Sequence, residues 1–293
     1  MFGKTLEDKM FHSCNLLFML LVCGLTMYPF FNTLAISLND GLDANRGGIY
    51  LWPRSFSLAS YETVFSDQTI VRAYLITISR TVLGILITVL CTGILAYGLS
   101  KKNLIGRNVY LFICVVALIF NGGLIPTYLL YRDLGLINNF LVYILPGAVN
   151  VWYMILMKSF FEQLPVELEE SAKMDGCGFL QTFFRITLPL SKPIIATICI
   201  FVGVDHWNNW FDAYVFVNNE KLQPIQTYLY KVIALAQTAA IDPVQQQMVD
   251  RLSASPTTIK AATVIITMIP IATIYFFFQK HFTKGIMLGA IKG

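Results

Sequence analysis

Residues 204–216, Val-Asp-His-Trp-Asn-Asn-Trp-Phe-Asp-Ala-Tyr-Val-Phe, place Asp205, Asn208, Asn209 and Asp212 at i, i+3, i+4 and i+7. On one continuous helix those four positions share a face. Carboxylates and carboxamides at that spacing can hydrogen-bond hydroxyl groups, and Trp207, Trp210 and Tyr214 add flat aromatic surface among them. Hydroxyl partners combined with flat apolar faces suit a sugar. A plainer reading stays open: Asp205 neutralises a buried base such as Arg80, and the tryptophans form the aromatic belt of a membrane interface. Candidate contacts along a ligand path are Asn208, Asn209, Trp210, Asp205 and Arg80.

Bond-breaking chemistry finds no matching residues. Gly3-Lys4-Thr5 follows only two residues, so the phosphate-cradling loop G-x-x-x-x-G-K-S/T cannot be built. Neither H-E-x-x-H nor G-x-S-x-G occurs, and His12, His206 and His281 are too scattered for a metal ligand set. Cys14, Cys23, Cys91, Cys114, Cys177 and Cys199 lack C-x-x-C spacing and read as small apolar packing residues. No catalytic residue, metal site or resident cofactor is expected.

The elements that must position the polar stripe are apolar. The chain has 293 residues, 56% hydrophobic and 13% charged, against about 25% charged in soluble domains. Six apolar segments, at about 13–36, 71–99, 109–131, 140–161, 193–217 and 259–280, are each long enough to cross a bilayer core of roughly 30 Å. The expected fold is an all-α integral membrane protein of six transmembrane helices, one domain over 1–293. The first segment is too long for a signal-peptide core, carries Glu7 and Asp8 in its flank and lacks an A-x-A site, so it reads as a retained helix. Twelve Lys/Arg fall on the face with the termini and the 162–192 loop, and eight on the longer opposite segments. That bias places both termini in the cytoplasm. Pro126, Pro146-Gly147 and Pro270 are expected to bend the third, fourth and sixth spans. A net charge of +4, without a basic block, gives no sign of nucleic acid.

Between the fourth and fifth spans lies Glu169–Pro193, EESAKMDGCGFLQTFFRITLPLSKP. Pro165 suits a first helical turn, and Glu167, Glu169 and Glu170 suit a helix N-terminus. Asp175-Gly176 is a stop signal. A second short helix is expected to project Phe179, Leu180, Phe183, Phe184 and Ile186, ending at Leu188-Pro189. Such a helix-turn-helix can lie in the membrane interface, pack on its own spans, or offer an apolar ridge to a soluble partner's groove.

Written as Glu170-x-Ala172-x-x-Asp175-Gly176, then Phe183-x-x-Ile186-x-Leu188-Pro189-x-x-x-Pro193, the segment resembles the E-A-A loop of permease subunits of type I ATP-binding-cassette importers. Ser171 and Cys177 stand where that family commonly has Ala. Phe56–Phe65, Ala96–Arg107 and the tail Lys280–Gly293 resemble the carbohydrate-uptake class, in its smaller, maltose-permease-G-like subunit. The Trp-Asn-Asn-Trp run and Asn218–Ile233 resemble oligosaccharide permeases near the alginate importers, specifically the second permease subunit.

The resemblance implies ATPase coupling through Glu170, Ala172, Asp175, Gly176, Phe183 and Leu188, and an ATPase-contacting tail at Lys284, Gly285 and Lys292. It implies as partners a second permease subunit, two ATPase subunits carrying the ATP and Mg, a solute-binding protein, an oligosaccharide and the bilayer of the inner membrane. A self-sufficient channel or ion-coupled secondary transporter using Asp205 and Arg80 is the rival. Arg80 is the one base well inside a span, which leaves an acidic sugar open.

Overall fold

A computed structural model describes residues 6–120, 122–239 and 255–290. Its regular structure among the described residues is helical, with one isolated bridge between Asn39 and Phe56. The chain forms two compact units, Met1–Ile70 with Leu229–Ile269, and Val71–Tyr228 with Pro270–Gly293.

In the first unit, α1 (Leu6–Ser37) is an apolar rod with Pro29 inside it. A short α2 (Gly41–Asn45) and α3 (Ala59–Ser66) follow. The buried Asn39 organises the segment between them: its side chain donates to Asp43 Oδ2 (2.9 Å) and accepts from Ser55 N (2.9 Å). Arg54 Nε adds a bond to Asp43 Oδ2 at 3.0 Å. The Asn39 amide, aided by Arg54 against a weaker effect of burial, holds the Asp43 carboxyl below its ordinary value of 3.8. A depressed carboxylate stabilises above its unfolded pKa and is lost as pH falls through the folded one. Amide-exchange protection of residues 39–55 is therefore expected to survive acidification to pH 3.8 and to fail only below it.

In the second unit the long α4 (Gln68–Ser100) is central. Val89, Ala96, Tyr97 and Leu99 pack with Met154, Met157 and Phe161 of α7 (Val151–Phe161). Phe183, from α9 (Phe179–Leu190), and Ile198 and Val202, from α10 (Lys192–Asn208), complete that core. Gly84 marks a close approach: a Cβ there would lie 2.6 Å from Cδ2 and 2.7 Å from Cε1 of His206. Ala is the better helix former by about 1 kcal/mol, but the buried imidazole must then move. Gly84→Ala is expected to destabilise by about 1–3 kcal/mol, read as a lower thermal midpoint in detergent. Gly24→Ala, with nothing within 4 Å, is the control that should not lower it.

The expected spans are realised unevenly. Glu7–Ser37, Gln68–Ser100 and Pro256–Thr273 are each long and apolar enough to cross a membrane, the last within α12 (Pro256–Ala290). Two bent pairs raise the count to five: α5 (Arg107–Ile119) with α6 (Leu124–Asp133) at 113°, and α9 with α10 at 86°. Pro126 falls in the first turn of α6, where the missing N–H costs nothing, so it starts a helix instead of kinking one. The expected fourth span is a 3-10 turn at Phe140–Tyr143, irregular backbone through 144–150, and the 11-residue α7. Pro146-Gly147 breaks the helix there. The freed carbonyls of Gly147 and Ala148 accept from Thr88 Oγ1 (2.8 Å) and Thr92 Oγ1 (3.2 Å) of α4, the kind of rescue that irregular backbone at membrane depth requires.

Candidate functional site

The second unit holds a polar cavity of about 170 Å³, whose lining includes Arg80, Tyr143, Asn150, Tyr153, Asp205, His206, Asn209 and Asp212. Arg80, 1% exposed, is its centre. Its Nη1 donates to Asp212 Oδ1 and to the Asn209 carbonyl, each at 3.2 Å, and Nη2 bonds the second Asp212 oxygen. The guanidinium lies 4.4 Å from the centroid of the Tyr143 ring. Tyr143 in turn donates its hydroxyl to the Leu222 carbonyl at 2.9 Å. Arg80 Nε is buried without a hydrogen-bond partner among the described residues.

Two sequence expectations change here. The four polar residues do not share one continuous helix, because α10 ends at Asn208 and α11 (Phe211–Phe216) starts afresh. Asn209 is the cause: its Oδ1 accepts from Phe211 N (3.1 Å) and Asp212 N (3.4 Å), so the side chain takes amides that a helix would otherwise bond internally. The carboxylate on Arg80 is Asp212 and not Asp205. The lining still gathers Arg80, Asp205 and Asn209. Asn208 and Trp210 lie outside it: Asn208 accepts from Gln226 Nε2 at 3.4 Å, and the Trp210 ring meets Phe211 and Tyr214 edge-on. Tyr143, Tyr153 and His206 also line the cavity, and no spacing in the sequence announces them there. Asn150 carries a readable signal, as an N-cap accepting from Tyr153 N at 3.1 Å.

The second cluster surrounds Glu169–Pro193. Helix α8 (Val166–Met174) ends at Gly176, whose φ of +77° closes the helix in the left-handed conformation. Cys177 N then bonds the Ala172 carbonyl at 2.9 Å. Ala172 is buried, whereas Glu170 and Asp175 are exposed beside Val166 and Met174. Phe183 is fully buried and Leu188 packs against the same core. Helix α9 does not end at Leu188-Pro189. It runs through a π turn at Phe183–Thr187 to Leu190, and the chain bends at Ser191. Lys284 and Gly285 fall on the backbone of α12; the Lys284 side chain, and Lys292 entirely, lie outside the described residues.

What the sequence did not reveal is how this loop is held. Lys101 forms an ion pair with Glu169, and its ammonium lies 4.0 Å over the Tyr97 ring. Tyr97 packs against Phe179 and Phe183 at centroid distances of 4.6 and 5.3 Å. A second set joins Arg107 and Lys158 to Glu162, with Arg107 Nε donating to the Leu99 carbonyl at 2.8 Å. Between them lies a cavity of about 420 Å³. Burial draws Lys101 below its ordinary value of 10.5 despite the opposing pull of Glu169. A partly exposed pair of this kind adds little to stability, so it serves chiefly to fix position.

Residues 74–287 match the family described as the binding-protein-dependent transport system inner membrane component. Protein LplC of Bacillus subtilis is 38% identical over 99% of this chain and 97% of its own length. The polygalacturonan/rhamnogalacturonan transport system permease protein YtcP of the same organism is 36% identical over 98% of this chain and 100% of its own. A chain in the crystal structure of a bacterial ABC transporter involved in the import of the acidic polysaccharide alginate superimposes with a TM-score of 0.87 at 31% identity, over 96% of this chain and 100% of that one. A polar cavity and an exposed loop tied to one apolar helix thus sit on a fold shared with sugar ABC permeases, and the chain belongs to the family of inner membrane components of binding-protein-dependent transport systems.

Proposed function

We propose that the chain is one of two transmembrane subunits of an ATP-driven importer, passing an oligosaccharide handed over by a solute-binding protein. One observation carries this reading: α4 bears Arg80 at the polar cavity and ends beside Lys101 at the loop, about 30 Å away along the helix axis. That span matches a bilayer core, so a single rigid element joins the site where substrate would pass to the surface where a soluble partner would push. Asp205 supports the same reading. It is exposed on the isolated chain within the apolar α10, and a carboxylate at membrane depth faces a water-filled path or a partner, not lipid.

In this proposal six crossings place both termini in the cytoplasm, with α8 and α9 as the coupling helices. Glu170, Asp175 and the exposed apolar side chains of α8 meet an ATPase, ATP and Mg are bound on that partner, and residues 284–293 reach toward it. ATPase closure shifts the population between inward- and outward-facing states. The alginate importer and the polygalacturonan permease favour an acidic oligosaccharide. Its carboxylates would meet an Arg80 already held by Asp212, so they must compete with an internal carboxylate.

Replacing Asp175-Gly176 by Ala-Ala tests the coupling role. Ala at a φ of +77° costs about 1–2 kcal/mol locally and favours continuing α8. ATPase association and binding-protein-stimulated hydrolysis should fall together while the subunit still inserts. Both remaining at the level of the unaltered assembly is the result that defeats the assignment.

A further inference from the structure

The segment after α1 exposes large side chains on a tightly built support. Trp52 is 82% exposed, Tyr50 66% and Leu51 52%. Gly47 and Gly48, with φ of +72° and +71°, turn the chain back toward α1, and Arg54 Nη2 fastens the turn to the Gly47 carbonyl at 2.6 Å. Ile49, 7% exposed, then inserts between Ala35 of α1 and Ala44 of α2. Asn32 Nδ2 donates to the carbonyls of both Ile49 (2.8 Å) and Tyr50 (2.9 Å).

Those contacts fix a level. Asn32 lies five residues before the end of α1 at Ser37, so Tyr50 sits about 7 Å back along the helix axis from its end. There α1 exposes Tyr28, Phe30 and Phe31, and its apolar window is unburied among the described residues. A surface meant for a soluble protein would stand beyond the helix end; this one is folded down beside the part of α1 that must meet the bilayer.

We propose that Tyr50, Leu51 and Trp52 form a lipid-interface anchor that sets the depth at which α1 crosses the membrane. Trp and Tyr settle at the headgroup level because one part of the ring system is apolar and the other bonds water. The anchor extends the apolar surface of α1, and Asn32 is the residue that holds it there.

The experiment uses the complete assembly in nanodiscs containing lipids brominated either near the headgroup or deep in the acyl chain, and compares it with Trp52→Phe. The difference between the two emission signals isolates Trp52. Shallow bromines should quench that difference more than deep ones, water-soluble acrylamide should quench it weakly, and adding the binding protein should leave it unchanged. Asn32→Ala, which keeps Trp52 but releases the segment, should lose the bromolipid quenching and gain acrylamide quenching. Strong acrylamide quenching without bromolipid quenching overturns the proposal. Protection from both quenchers, or protection only on adding the binding protein, overturns it in favour of a protein partner.

Discussion

Asp212→Ala is expected to destabilise the subunit by about 3–5 kcal/mol, the cost of leaving one member of a buried ion pair without the other. Arg80 is 1% exposed, and the Asn209 carbonyl and the Tyr143 face cannot neutralise it. The loss should appear as a large drop in thermal midpoint and in the yield of assembled complex. Arg80→Met with Asp212→Leu removes both charges and fills similar volume, so stability should return to within about 1–2 kcal/mol of the starting protein, as swaps of buried pairs for apolar groups commonly do. If the cavity lies on the substrate path, that stable double variant should still transport poorly. A double variant that is stable and also transports normally would make the pair purely structural and remove the cavity from the path.

A charge reversal at the loop gives the second large effect, of a different kind. Lys101→Glu or Glu169→Lys places like charges where an ion pair now sits. Both side chains retain some exposure, so the stability change should stay at about 1 kcal/mol or less. Coupling should suffer far more: binding-protein-stimulated ATP hydrolysis is expected to fall about tenfold, equivalent to roughly 1.4 kcal/mol in the activation barrier, with unstimulated hydrolysis little changed. The combined reversal, Lys101→Glu with Glu169→Lys, should recover most of it. A structural role alone would lower stability in the single variants without separating stimulated from unstimulated hydrolysis, and lack of rescue would argue against the pair as the joint.

What the sequence disclosed followed the range of the interactions involved. Apolar length alone marks α1 and α4, and Asp175-Gly176 announces the end of α8 because glycine's freedom at positive φ is a local property. The Glu170, Ala172 and Phe183 pattern is likewise local and readable. Residues 132 positions apart, as in Arg80 with Asp212, or 68 apart, as in Lys101 with Glu169, meet only through packing of α4 against other segments. Nothing in the spacing of either sequence segment selects Asp212 over Asp205. The helical stripe failed for a readable reason: Asn209 is a capping residue type set before Phe211 and Asp212, and its carboxamide competes with the backbone ladder. The break in the fourth apolar segment is legible at Pro146-Gly147, but apolar composition does not report that threonines of α4 satisfy the carbonyls it frees.

Uptake of a labelled oligosaccharide by proteoliposomes holding the assembled subunits tests the central claim, that this membrane subunit is driven from its loop by an ATPase. Uptake should require the binding protein and ATP together and should vanish when the ATPase subunits are omitted or when Asp175-Gly176 is replaced by Ala-Ala. Concentrative uptake by the permease subunits alone, without an ATPase, would contradict it.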